Sequence, residues 1–227
     1  MCFDFLIFFN CIFVIFNKKR KRVNYLEFRN ELRHFLVFST KDILKCYPMF
    51  DSRRLVEWQE KGYLKKIINR WYYFTDTTIN EEFLYLIANS IYSPSYISFE
   101  TALSYYQLIP EAVYTITSAT SLKTNEFNTI TGTFSYRHLK PPLLFGYRLI
   151  ETENYRMKIA EIEKTILDYF YINEKINTEE AFVGMRVNRE ALMSQLNIRK
   201  MNAYLKLYAN KTLETRVNRF IQCIKNA

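Results

Sequence analysis

The sequence predicts an α+β fold, and three observations carry that expectation. Apolar residues recur at helical spacing in separate stretches, 25–36, 81–91 and 159–171 among them. Short runs rich in β-branched and aromatic residues lie between them, at 63–67, 70–74, 113–120 and 130–138. The chain has 227 residues, 49% apolar and 17% aromatic with only four glycines, which suits an ordered protein with a sizeable core. In chain order this gives an N-terminal winged helix-turn-helix over 23–75, then a mixed α+β region with terminal helices over 76–227.

The first helix is predicted from Tyr25 to Leu36, where Leu26, Phe28, Leu32, Phe35 and Leu36 recur at near-helical spacing. Val37 and Phe38 suit a short strand, and Ser39 or Thr40 is placed to cap a second helix running from Lys41 to Cys46 before Pro48. Asp51 is a plausible N-cap for a third helix, SRRLVEWQEK, closed by Gly62 in a left-handed C-terminal position. With Leu55 and Trp58 turned to the core, the opposite face carries Arg53 and Glu57, with Ser52 and Arg54 at the N-terminal end. YLKKI and RWYYF then read as a hairpin around Ile68-Asn69, with Lys65, Lys66 and Arg70 near its turn and the aromatic run packing it onto the helices.

Beyond residue 75 a helix is expected over Glu81–Ile91, a break at Ser93-Pro94, and a helix capped by Ser98 and ended by Pro110. Strands follow at 113–120, 130–138 and in LLFGYRLI after Lys140-Pro141-Pro142. Ile159–Tyr171 reads as an amphipathic helix whose carboxylates Glu161, Glu163 and Asp168 lie on its solvated face. Helices from Asn188 and from Ile198 to Ile224 close the chain.

Charge is uneven along the chain. The net +9 divides into +4 over residues 1–22, +4 over 23–75, −4 over 76–176 and +5 over 177–227, so two basic regions flank an acidic middle. That pattern suits contact with a polyanion. Cys2, Cys11, Cys46 and Cys223 show no CxxC spacing, and with two histidines a metal site is not expected; free thiols point to a cytoplasmic protein. No phosphate-cradling glycine loop, G-x-S-x-G or H-E-x-x-H occurs, so no catalytic residue, cofactor or small-molecule ligand is expected. Residues 1–17 form an apolar run followed by Lys18-Lys19-Arg20-Lys21-Arg22. Either this is a marginal membrane anchor, or the natural protein starts at Val23 from a GTG codon and the leader is translated upstream sequence.

Four stretches, FDSRRLVEWQEKGYLKKI, SPSYISFETALSYYQLIPE, TSAT at 117–120 with FSYRHL at 134–139, and IAEIEKTILDYFY, resemble the AbiEi family of abortive-infection antitoxins over about residues 24–175. The resemblance implies an autorepressing transcriptional regulator of a type IV toxin-antitoxin operon. Its winged helix would bind inverted repeats in double-stranded DNA of its own promoter, and its C-terminal region would counter a nucleotidyltransferase toxin without a stable complex. It assigns DNA contact to Ser52, Arg53 and Arg54 and to Lys65, Lys66 and Arg70. Lys41, Glu57 and Asn69, on adjoining elements, complete the candidate set. Family wings often turn through a glycine; here Asn69 takes that place, and asparagine tolerates left-handed backbone. A stand-alone winged-helix transcription factor and a membrane-tethered protein-interaction module remain the alternatives.

Overall fold

The computed structural model describes residues 23–111, 113–151 and 156–226, so the expectations for the leader lie outside the described residues. The chain is a mixed α+β protein. It begins with α1 (Tyr25–Leu32), β1 (Phe38–Ser39), α2 (Thr40–Cys46), α3 (Arg53–Glu60), β2 (Leu64–Ile68) and β3 (Trp71–Phe74). Helix α1 is four residues shorter than its apolar pattern suggests; the amide of Phe35 bonds to Leu32, and the chain turns there so that Val37 and Phe38 can enter a sheet. Three antiparallel strands pair in the order β1-β3-β2. Gly62, at φ +71°, closes α3 in the left-handed region that its position predicts.

Helices α1 to α3 and one face of this sheet enclose an aromatic core. Phe28 lies against Phe38, Tyr47, Phe50, Trp58 and Phe74, with ring centroids 4.6–6.3 Å away. Trp58 is fully buried, as its place opposite the polar face of α3 predicts.

The second part holds α4 (Glu81–Ile91), β4 (Ser95–Ile97), α5 (Phe99–Tyr105), β5 (Thr115–Thr120), β6 (Asn125–Thr129), β7 (Gly132–His138), β8 (Tyr147–Glu151) and β9 (Arg156–Ala160). Then follow α6 (Ile162–Ile172), α7 (Glu179–Gly184), α8 (Arg189–Gln195), α9 (Ile198–Tyr208) and α10 (Lys211–Asn226). Helix α4 has the bounds its pattern predicts, opened by the Asn80 side chain accepting from the Phe83 amide. Helix α5 ends five residues before Pro110, and β6, β9 and α7 are elements the sequence pattern does not announce. Lys140-Pro141-Pro142 opens a 3-10 turn, Pro141–Leu143, which confines the expected LLFGYRLI strand to its second half. Six strands pair in the order β6-β7-β5-β4-β9-β8, with β5/β7 and β4/β9 parallel and the other neighbours antiparallel.

This sheet is covered on both faces. Tyr96 and Ala160 point toward α5, α6, α9 and α10, whereas their neighbours Ile97 and Ile159 point toward α4. The small sheet joins that second layer. Along β3, Tyr72 and Phe74 enter the core beneath α1 to α3, while Tyr73, with Val37 and Ile67, enters the core shared with α4. Tyr72 and Phe74 pack on the helices as expected; Tyr73 and the partly buried Trp71 turn the other way because strand side chains alternate. Among the described residues no helix is long and apolar enough to cross a membrane.

Several buried tyrosines make stability sensitive to alkali. Tyr106 is 7% exposed, donates its hydroxyl proton to the Ala160 carbonyl at 2.7 Å, and burial pushes its phenol up to about 12. Burial also drives Tyr96 and Tyr208 well above the ordinary value of 10. Above about pH 10 the unfolded chain releases these protons and the folded chain keeps them. Stability present below that pH is therefore lost as pH rises, by about 1.4 kcal/mol per pH unit for each such tyrosine. Urea midpoints measured from about pH 9 to about pH 11 should fall steeply, and Tyr106→Phe should make the fall shallower by about one proton. Midpoints flat across this range would contradict the argument.

Candidate nucleic-acid interface

The residues expected to meet DNA fall into two groups, one at the start of α3 and one where α2 meets the β2–β3 turn. Ser52, not Asp51 as the sequence suggests, stands at the N-cap of α3; Asp51 lies one residue earlier, where its Oδ1 accepts from the Arg53 amide at 3.0 Å and places negative charge near the helix N-terminus. The same carboxylate takes the Arg53 guanidinium in two-point fashion, Nε at 3.0 Å and Nη2 at 2.8 Å. These bonds from Arg53 hold the Asp51 carboxyl below its ordinary value. Ser52 is exposed, with helical backbone and no capping bond from its hydroxyl.

The two arginines differ. Arg53 is exposed, its side chain at 89% of full accessibility. Arg54 lies back over the Trp58 ring at 5.1 Å, and its Nε is buried without a hydrogen-bond partner among the described residues. One turn further on, Glu57 reaches along the helix to Lys61 at 2.7 Å, an i,i+4 pair.

At the other group, Ser39 caps α2 in a reciprocal box with Asp42, which orients the first turn carrying Lys41. The Thr40 amide donates to the Arg70 carbonyl at 2.9 Å, so the hairpin turn and the start of α2 are held side by side. The turn passes through Asn69 and Arg70, both exposed. It is Arg70, at φ +69°, that takes the left-handed conformation, not Asn69 as the sequence suggests. A bulge between Lys66 and Ile68 offsets the strands by one residue and moves the special backbone position along with it. Lys65 and Lys66 are exposed on β2, an edge strand, where lysine also discourages edge-to-edge pairing.

Ten basic and six acidic side chains over 23–75 give the unit a net charge of +4, and its cations divide into paired and unpaired ones. Four of the ten are held by carboxylates, in the pairs Arg29–Asp76, Lys45–Asp42, Arg53–Asp51 and Lys61–Glu57. Arg33, Lys41, Arg54, Lys65, Lys66 and Arg70 make no salt bridge among the described residues.

Away from this surface, the expected solvated face of the IAEIEKTILDYFY helix is not there. Eight of the eleven residues of α6 are buried, Glu163, Lys164 and Asp168 among them. Lys164 and Asp168 pair with both side chains at 0% exposure. Asp168 Oδ2 accepts from the Tyr96 and Ser98 hydroxyls, each at 2.9 Å, and Oδ1 accepts from Tyr208. Lys164 Nζ also donates to Tyr208 at 2.7 Å and lies about 5 Å from the Phe145 ring. Ser98 thus spends its hydroxyl on Asp168 rather than on capping α5. Glu163 accepts from the Asn197 amide at 2.8 Å, and Glu161 takes Tyr204 and Lys200. Arg216 of α10 donates to the Phe170 and Glu174 carbonyls, closing the C-terminal end of α6. Every atom of the Lys164–Asp168 pair is enclosed, so these residues hold α6 to β4 and α9 rather than form an open site. No group of three or more metal-ligating side chains occurs among the described residues.

Val56, at the middle of α3, is 55% exposed, an outward place to which the sequence reading gives no role. The signal is present, since the residue after buried Leu55 lies about 100° round the helix and off the core face. No protein-family model matches the chain, and no curated protein matches it.

Proposed function

We propose that residues 23–75 are a winged helix-turn-helix, with α3 as recognition helix and β2–β3 as wing, and that the protein is a DNA-binding regulator of its own promoter. The observation that carries this reading is the exposed, cation-bearing start of α3 on the same unit as a hairpin turn and α2 start that bring Arg70 beside Lys41. The order of elements and the β1-β3-β2 pairing support it, because that arrangement leaves α3 outward for a major groove and the turn for the flanking backbone. Arg53, Lys41, Lys65, Lys66 and Arg70 offer exposed positive charge there, so phosphate contacts can dominate affinity.

The antitoxin role rests on the resemblance. Three of the four stretches that carry it converge on one network: Tyr96 and Ser98 from the second bond Asp168 of the fourth, and Thr117 of the third donates to the Ser98 carbonyl at 2.7 Å. The shared residues are thus those that fix the second part of the fold, on which countering a nucleotidyltransferase toxin would depend.

The test is binding of the full chain to its own upstream DNA and to a scrambled duplex at two salt concentrations. Selective binding that weakens with salt is the expected result. Lys65→Ala with Lys66→Ala should reduce the slope of log affinity against log salt by about 0.9 for each phosphate that the variant no longer neutralises, leaving sequence preference unchanged. Equal, weak binding of both duplexes would remove the regulatory reading. Co-expression with the neighbouring toxin gene, scored by growth, tests the antitoxin role separately.

A further inference from the structure

We infer that Val56 reads thymine, its methyl groups packing on the 5-methyl of a base in the major groove; this rests on α3 being the recognition helix. Among α3 residues Leu55 and Trp58 are buried, whereas Val56 stands 55% exposed. It lies three residues after Arg53 and four before Glu60, so the three share the outward face of the helix. A β-branched residue there lowers helix propensity and gains little burial within the chain.

Charge decides what this face can meet. Glu57 and Glu60 flank Val56, and carboxylates set against phosphates would be repelled. The centre of α3 therefore suits base edges, and the phosphates fall to Arg53 at the helix start and to Lys41 and Arg70 beside the hairpin turn. On the floor of a major groove the apolar feature that a valine can meet is the thymine methyl; Glu57 can accept from a cytosine amino group, but its carboxylate is already bonded to Lys61. Val56 therefore sets preference for thymine over cytosine or uracil at the position that it meets.

The experiment uses the full chain. A preferred duplex is selected from a randomised pool, its thymines are replaced one at a time by uracil, and each duplex is titrated by fluorescence anisotropy against wild type and Val56→Ala. At one position uracil should weaken wild type about fourfold, the worth of one buried methyl, and leave Val56→Ala unaffected. Val56 belongs to no core cluster and alanine has the higher helix propensity, so the variant should melt at or slightly above wild type. A preferred duplex with no position at which the uracil effect depends on residue 56 would overturn the inference and leave α3 as the reading helix. A selection that yields no preferred duplex would overturn both.

Discussion

Asp168→Ala should lower the free energy of unfolding by about 3–5 kcal/mol, a large share of what holds a protein of this size folded. The substitution strands the Lys164 ammonium at 0% exposure, and burial already drives that amine below its ordinary value against the pull of Asp168. It also deprives the hydroxyls of Tyr96, Ser98 and Tyr208 of their acceptor. Lys164→Met should cost less, because Asp168 keeps three hydroxyl donors and the methionine fills the space among Tyr96, Phe145 and Tyr208. Urea unfolding followed by circular dichroism measures both. A loss below about 1 kcal/mol for Asp168→Ala would show that the pair is not the internal tie described here.

Arg53→Ala should weaken binding of the promoter duplex by about 1.5–3 kcal/mol, the range for a hydrogen bond to a charged group such as a phosphate, with little effect on stability. Its guanidinium leans on Asp51 at the surface, an exposed pair of small worth, and is available to exchange that carboxylate for DNA. Arg54→Ala should divide the other way, costing about 0.5–1 kcal/mol of stability through its contact with Trp58 and less in affinity. Titration of each single variant beside thermal melts separates the two. If Arg53→Ala binds as wild type while Arg54→Ala does not, the roles given to the two side chains are reversed.

These contrasts show what was legible in the sequence. Turns and faces set by neighbours in the chain were readable: Gly62 after α3, the bounds of α4 and the burial of Trp58. The exposed positions of Lys41, Ser52, Arg53, Lys65, Lys66, Asn69 and Arg70 were readable for the same reason. The direction of Arg54 was not, because it depends on a ring one turn along and on how much of it the core leaves uncovered. The role of α6 was least legible. Glu163, Lys164 and Asp168 look like any solvated charge pattern until Tyr96 and Ser98, about seventy residues earlier, and Tyr208, forty later, arrive beside them. The unannounced β9 has a similar cause. Arg156–Ala160 is too short to declare itself, and it becomes a strand through β4 and β8 on either side.

The double-sided burial of the small sheet bears on how such a protein could evolve or be engineered. Val37, Ile67 and Tyr73 belong to the core shared with α4, so a fragment ending at Thr75 would present them to water along one whole side of its sheet. The N-terminal unit is therefore not a cassette. Exchanging it between proteins would succeed only when the recipient supplies a matching bed of Phe83, Ile87, Ile116 and Phe134, or when the graft brings that bed with it. If α3 is the recognition helix proposed above, changes of specificity are easier to reach by altering its single outward residues than by swapping the whole unit.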